Sequence, residues 1–177
     1  IKLIDNEINI AKEGKLANII LKINSLQDRN MIDKLYEASK AGVRIKMIVR
    51  GICSLVPGLE GISENIEAIG IVDRYLEHAR VFLFHNNGQE KMYLSSADLM
   101  VRNLYHRVET AFPIYDESIK TQIKDILNLQ LQDNVKARII DKEQHNAYRK
   151  DGSDLAIQSQ IETYYYFKRL GDLTETI

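Results

Sequence analysis

One stretch of the sequence, residues 17–49, constrains the fold more than any other. It opens with the apolar run 17–23, which is rich in Ile and Leu and too short for a helix, so a buried strand is favoured. Apolar residues then recur at helical spacing as far as Gly42, and a second apolar run covers 43–49. Strands joined by a crossover of this length pair in parallel, and helices cover the faces of parallel sheets. The stretch therefore predicts an α/β fold.

The rest of the chain predicts further strands and helices around this unit. Short strands are expected at 66–72, 81–84, 92–94 and 107–114, and helices at 1–14, 118–131 and 155–170. Residues 136–140 fit a short strand or a helix. A turn at Asn87 and Gly88 joins the strands on either side of it.

Length and composition bound the class of protein. The chain has 177 residues, of which 45% are hydrophobic and 28% charged, as in ordinary globular domains. The formal net charge is −1, which argues against a nucleic-acid partner, and no apolar run is long enough to span a membrane. With the single cysteine Cys53 and no signal-peptide pattern, we expect a cytoplasmic location.

The domain organisation is predicted to be simple. Residues 1–150 are expected to form one domain, and residues 151–177 a helical tail of the same domain. Because the chain begins with Ile1 and already reads as helix there, we interpret it as a piece of a longer polypeptide.

Several polar side chains lie where the predicted strands begin or end. Lys22 and Arg50 are at the ends of the first two strands, His78 and Arg80 precede the strand at 81–84, and Ser95 follows 92–94. Ligands in α/β sheets bind at strand ends. An arginine fork, a lysine charge and serine hydroxyls can together hold phosphate, and a histidine can transfer a proton or attack phosphorus.

Each of these residues also has a structural interpretation. Arg50 could be a solvated arginine at the sheet rim, and Lys22 could protect a sheet edge or extend to solvent. His78 precedes a buried strand, where a lone histidine commonly fills a structural role. Ser95 and its neighbour Ser96 could start a turn or cap a helix, with Asp98 as a local acceptor for backbone amides.

Known cofactor motifs are missing from the sequence. There is no phosphate-binding Gly-x4-Gly-Lys-Ser/Thr loop, no Gly-x-Gly-x-x-Gly fingerprint and no zinc-ligand spacing, and no metal ligand is predicted. If the chain handles phosphates, it does so with side chains from several strand ends.

Ten short strings of the sequence, taken in order, resemble one known family. They are KINSL at 22–26, LYEAS at 35–39, AGV at 41–43, IVRGIC at 48–53, PG at 57–58, SENI at 63–66, LEHAR at 76–80, SSAD at 95–98, RNL at 102–104 and RVE at 107–109. Over residues 1–137 the chain resembles the C-terminal catalytic domain of the long, multidomain bacterial polyphosphate kinases. One departure is Leu99, where the family usually has Trp.

The resemblance implies a phospholipase D-like mixed sheet flanked by helices, one of two such tandem domains. It further implies reversible transfer of the terminal phosphate of ATP to inorganic polyphosphate, with Mg²⁺ accompanying ATP, in an enzyme that is a homo-oligomer. The phosphorylated histidine of the family belongs to the preceding domain, so this segment alone is expected to be inactive.

The resemblance also implies roles for individual residues. Arg50 and His78 match nucleotide-binding positions, and we expect Arg50 to clamp ATP phosphates while His78 serves as general acid or base or stabilises charge on the transferred group. Arg80 and Lys22 would neutralise charge on ATP or polyphosphate. Four further residues would be phosphate contacts or scaffold: Ser95, Ser96, Arg102 and Asn103.

Two other functions fit the same residues. A phospholipase D-like phosphodiesterase would dimerise to bring two histidines together, but it needs a lysine two residues after the histidine, where this chain has Arg80. The chain could instead be a non-catalytic module that binds nucleotide or polyphosphate.

Overall fold

The computed structural model describes residues 1–150 and 152–174 and shows seven strands and five α-helices over them. The strands are β1 (Asn18–Ile23), β2 (Arg44–Val49), β3 (Ile66–Ile71), β4 (Val81–Phe84), β5 (Lys91–Ser95), β6 (Ala111–Ile114) and β7 (Ala137–Ile139). The helices are α1 (Lys2–Lys12), α2 (Arg29–Lys40), α3 (Val101–Tyr105), α4 (Glu117–Gln132) and α5 (Ser159–Thr174).

All seven strands belong to one mixed sheet with the order β6-β5-β4-β1-β2-β3-β7. The strands β1, β2 and β3 are parallel to one another, and every other neighbouring pair is antiparallel. The predicted parallel strand–helix–strand unit is therefore confirmed as β1-α2-β2, and it occupies the centre of the sheet.

Helices cover both faces of the sheet because its central strands are apolar on both sides. Leu35 of α2 and Ile8 of α1 pack into one cluster together with Leu21 of β1. On the opposite face, Leu127 of α4 packs with Ile48 of β2. The last helix lies against α4, where the hydroxyl of Tyr166 donates to Asp125 at 2.8 Å.

Most predicted elements are confirmed, with two corrections at their ends. The strand predicted for 107–114 covers only Ala111–Ile114, because Glu109 and the Thr110 N–H instead bond to the side chain of Ser96 in the loop after β5. The helix predicted for 155–170 is shifted to Ser159–Thr174, since Asp133 binds the backbone N–H of Ser159 at 2.8 Å and sets its start. Residues 136–140 contain the short strand β7.

Two further expectations concern the whole chain. Among the described helices, none combines the length and the apolarity needed to cross a bilayer. The division at residue 150 stays a prediction, and the proposed tail falls partly on residues 151 and 175–177, outside the described residues.

Candidate functional site

The sheet topology brings the predicted site residues to one edge. This edge holds the carboxyl ends of β1, β2, β3 and β5 and the amino ends of the antiparallel β4 and β6. Lys22 and Arg50 therefore lie beside the loop that carries His78 and Arg80, and Ser95 lies next to them at the end of β5. We call this border of the sheet the site edge.

An ion pair between the partly buried Arg80 and the buried Asp98 organises the middle of the site edge. Arg80 donates from Nε to Asp98 Oδ1 at 3.3 Å and from Nη2 to Oδ2 at 3.0 Å. Asp98 Oδ1 also accepts the backbone N–H groups of Asn24 at 2.8 Å and Ser25 at 3.2 Å. Burial opposes ionisation of Asp98, but these donors outweigh it, so the pKa of Asp98 lies below its usual range. The pair ties the loops after β1 and β5 to the start of β4.

His78 lies against the same guanidinium and faces solvent. Its Nδ1 is 3.3 Å from Arg80 Nη1 and its Nε2 is 3.1 Å from Nη2, while Arg80 Nη1 also donates to the His78 carbonyl at 3.2 Å. His78 precedes the buried strand β4 as predicted, but it is itself exposed in the loop before Val81, so the structural role of a buried histidine does not apply to it. An exposed imidazole with its ring held in place is available to a ligand.

Lys22 is buried and paired, although it lies close to the site edge. Its side chain extends to Glu77 Oε2 at 2.6 Å, and only 8% of the residue is exposed. Glu77 also accepts from Gln130 at 2.5 Å and from Gln160 at 3.1 Å. Because β1 is a central strand and Lys22 does not reach solvent, neither edge protection nor extension to solvent explains this residue.

Arg50, unlike Lys22, is partly open to solvent and, within the described residues, carries an unpaired guanidinium. It follows β2 directly, is partly exposed, and lines an open depression with Ile71, Asp73 and Tyr75. Its backbone N–H donates to Ile23 at 3.2 Å, but among the described residues its guanidinium has no ion-pair or hydrogen-bond partner. This cation is free to bind an anion from solution.

The glycine after Arg50 allows the loops that follow β1 and β2 to lie close together. A Cβ at Gly51 would stand 3.1 Å from the Asn24 carbonyl oxygen, which is bonded to the Gly51 N–H at 2.8 Å. A larger residue would push these two loops apart and displace Arg50.

The remaining predicted residues belong mainly to a network around Glu109. Asn103 donates to Glu109 at 2.6 Å and Ser96 bonds to the same carboxylate, so these donors hold the pKa of Glu109 below its usual range. Ser95 donates to the Thr110 carbonyl at 3.1 Å. Arg102 is exposed on α3, and its guanidinium has no partner in the part of the chain that the structure describes.

Carboxylates that could hold Mg²⁺ at the site edge are already engaged. Among the described residues there, Glu77, Asp98 and Glu109 each accept from cationic, amide or hydroxyl donors, and Asp73 accepts from Gln158 at 2.7 Å. These residues do not fit a protein-bound magnesium ion.

A second group of possible metal ligands lies elsewhere. Ligand atoms of Asp141, Glu143 and His145 lie within 4.8 Å of one another. They follow the end of β7, which is antiparallel to β3, so they are at the opposite edge of the sheet.

Sequence reasoning missed two residues that build the site edge and misjudged a third. Glu77 and Gln160 are absent from the predicted site residues. Asp98 accepts backbone amides as predicted, but they belong to the distant Asn24 and Ser25, and it also pairs with Arg80. The one sequence feature that pointed to a site role for Glu77 is its position next to His78. Gln160 is far from the site residues in sequence, and no sequence feature pointed to it.

The architecture places the chain in the phospholipase D class of folds. It superposes on Nuc from Salmonella typhimurium, a phospholipase D family member, with a TM-score of 0.50 over 77% of this chain and 89% of that one. The identity is 16%, so this likeness concerns the fold alone. The predicted phospholipase D-like mixed sheet is confirmed.

The chain belongs to the polyphosphate kinase family, because residues 1–160 match the family described as polyphosphate kinase C-terminal domain 2. The polyphosphate kinase of Vibrio cholerae is 54% identical over 169 residues, and that of Escherichia coli K12 is 48% identical. The crystal structure of the Porphyromonas gingivalis enzyme superposes with a TM-score of 0.94 at 46% identity. The resemblance inferred from the sequence is confirmed.

The comparisons also show how much of each relative is matched. The chain is covered to 96% by the two sequence relatives and to 97% by the solved structure. It spans only 24% of the Vibrio cholerae protein, 25% of the Escherichia coli protein and 26% of the Porphyromonas gingivalis chain. The chain therefore corresponds to about a quarter of these proteins.

Proposed function

We propose that this chain supplies one half of the active site of a polyphosphate kinase. The complete enzyme would reversibly transfer the terminal phosphate of ATP to inorganic polyphosphate through a phosphohistidine in another domain of a longer polypeptide. The names of relatives at about half identity support this activity, and their fourfold greater length supports the longer polypeptide.

The observation that carries the proposal is the contrast among the cations of the site edge. Arg50 has no partner for its guanidinium among the described residues, while His78 is exposed and held against Arg80. Arg50 would bind ATP phosphates through its planar fork of donors. His78 would serve as general acid or base, or stabilise charge on the transferred phosphoryl group, as phosphoryl transfer demands.

In this proposal, Lys22 and Arg80 support the site without binding the substrate directly. Their charges are already balanced by Glu77 and Asp98. They would therefore contribute mainly by holding the loop of His78, with a smaller effect on the charge of ATP or polyphosphate. Ser95, Ser96 and Asn103 would be scaffold, and Arg102 would remain available as a further phosphate contact.

Magnesium would arrive bound to ATP. The carboxylates of the described site edge are engaged, so phosphate oxygens would be its main ligands in this half of the site. Assembly of the complete enzyme as a homo-oligomer and its cytoplasmic location are parts of the same proposal.

The test is turnover by the full-length polypeptide that contains this chain. Polyphosphate formed from Mg–ATP, and ATP formed in reverse, are measured for the unaltered protein and for Arg50→Ala. Arg44→Ala is the matched control, because Arg44 is an exposed arginine at the other end of the same strand. We expect turnover to fall in the first variant and to persist in the second.

The same experiment also distinguishes the two alternative functions. Hydrolysis of a generic phosphodiester without polyphosphate synthesis would replace the proposal with a phospholipase D-like phosphodiesterase. Binding of polyphosphate or nucleotide without turnover would identify a non-catalytic module. Equal turnover in the unaltered protein and the Arg50→Ala variant would remove Arg50 from the phosphate site.

A further inference from the structure

We infer that Gln160, at the start of α5, is a positioning residue for His78. The catalytic part of this inference rests on the role proposed for His78. The contact of Gln160 with the loop of His78 does not depend on the proposed function. It connects the C-terminal helix to the site edge, although Gln160 lies 82 positions beyond His78 in the sequence.

The side chain of Gln160 clamps the loop that carries His78. Its Oε1 accepts the backbone N–H of Tyr75 at 2.9 Å, and its Nε2 donates to the Tyr75 carbonyl at 2.8 Å. The same Nε2 is 3.1 Å from Glu77 Oε1. One side chain, only 9% exposed, thus satisfies both backbone groups of Tyr75 and contacts the residue next to His78.

The clamp is anchored to the sheet. Asp133, which is fully buried, accepts the Ser159 N–H at 2.8 Å and its hydroxyl at 2.7 Å through Oδ2. Its Oδ1 accepts three successive backbone N–H groups at the entry to β7, those of Val135, Lys136 and Ala137. Since β7 pairs with β3, the start of α5 is fixed relative to the strand from which the loop departs.

The loop is held at several points, but His78 has few contacts of its own. Gln158 binds Asp73 at 2.7 Å, Gln160 binds Tyr75 and Glu77, and Asp98 binds Arg80. The ring of His78 is touched only by Arg80 among the described hydrogen-bonding groups. Its position therefore depends on the residues on either side of it, and Gln160 is the contact from the C-terminal helix.

Gln160→Glu in the full-length polypeptide isolates this effect. The new carboxylate keeps the acceptor for the Tyr75 N–H but loses both donors and faces the Tyr75 carbonyl and Glu77. It also lies in the first turn of α5, where a negative charge favours the helix, so the helix should form. Gln122→Glu, near the start of α4, is the matched control.

We expect kcat to fall by about tenfold or more while KM for ATP stays within about threefold, because displaced catalytic groups weaken the transition state more than binding. Hydrogen exchange should accelerate over residues 73–77 in Gln160→Glu and remain unchanged in Gln122→Glu. Unchanged exchange over 73–77 would overturn the clamp, whatever the activity of the protein.

A double variant separates positioning from general structural damage. If Gln160 acts through His78, Gln160→Glu should cause little further loss when His78→Ala is already present. An equal loss in both backgrounds, or unchanged kcat in the single variant, would overturn the inference. Absence of polyphosphate turnover in the unaltered protein would instead refute the proposed function, and the exchange result would still decide the clamp.

Discussion

The site edge contains two kinds of cation that look alike in the sequence. Lys22 is buried, Arg80 is largely shielded from solvent, and both are paired, with Glu77 and Asp98 respectively. The guanidinium of Arg50 is instead unpaired within the described residues and borders an open depression. Buried charges require such partners, because desolvation is costly. The difference indicates that the first two hold the site edge together and that Arg50 is available to an anion from solution.

Removing a paired cation should have the largest effect on stability. Arg80→Met leaves the buried Asp98 carboxylate without its cation, and we expect a loss of about 3–5 kcal/mol in the free energy of unfolding. Urea denaturation of the chain measures it. The matched Arg50→Met should change this free energy by no more than about 0.5 kcal/mol. Equal losses in the two variants would erase the distinction between the paired and unpaired cations.

His78→Ala tests whether the exposed histidine takes part in the reaction. In the full-length polypeptide we expect turnover to fall by about a hundredfold or more, the typical contribution of a positioned acid or base. Stability should not change, since the ring is exposed and, among the described residues, is bonded to Arg80 alone. His145→Ala, at the opposite edge of the sheet, is the control. Undiminished turnover in a folded His78→Ala protein would exclude His78 from the mechanism.

Arg50→Lys and Arg50→Ala sharpen the role of the unpaired cation. We expect Arg50→Ala to weaken binding of Mg–ATP by roughly tenfold to a hundredfold, the value of one or two hydrogen bonds to a charged group. Lysine should restore part of the affinity, because it keeps the charge but lacks the planar fork. The measurement is calorimetric titration of the full-length protein. Full recovery by lysine would show that charge alone matters.

The sequence predicts the centre of this fold well because local patterns determine it. The apolar runs before and after α2 give β1, β2 and their parallel pairing, and both strand ends then mark the site edge. Side chains that bond to each other across a long stretch of sequence produce no local pattern of this kind. Glu77 meets Lys22 across 55 positions and Gln160 meets Tyr75 across 85, so only the folded chain shows which cations are neutralised.

The two carboxylates that anchor the site edge differ in their donors, although the pKa of each lies below its usual range. Asp98 is held by a cation and backbone amides, whereas Asp133 is held by the Ser159 hydroxyl and backbone N–H groups. Burial opposes ionisation of Asp133, but these donors prevail and its pKa is lowered from 3.8. Because the folded-state pKa lies below the unfolded one, the stabilisation is present above about pH 4 and is lost as the pH falls further.

Asp133→Asn should cost about 1–2 kcal/mol at neutral pH, a smaller loss than that of Arg80→Met, because the amide cannot accept the Ser159 N–H with its nitrogen. Denaturation at a series of pH values should show the variant and the unaltered chain converging as the pH falls through the lowered folded-state pKa of Asp133 and the carboxylate becomes protonated. Curves that stay parallel into acid would mean that the ionised form contributes nothing. The start of α5 would then be fixed by packing, and the clamp on His78 would not depend on this charge.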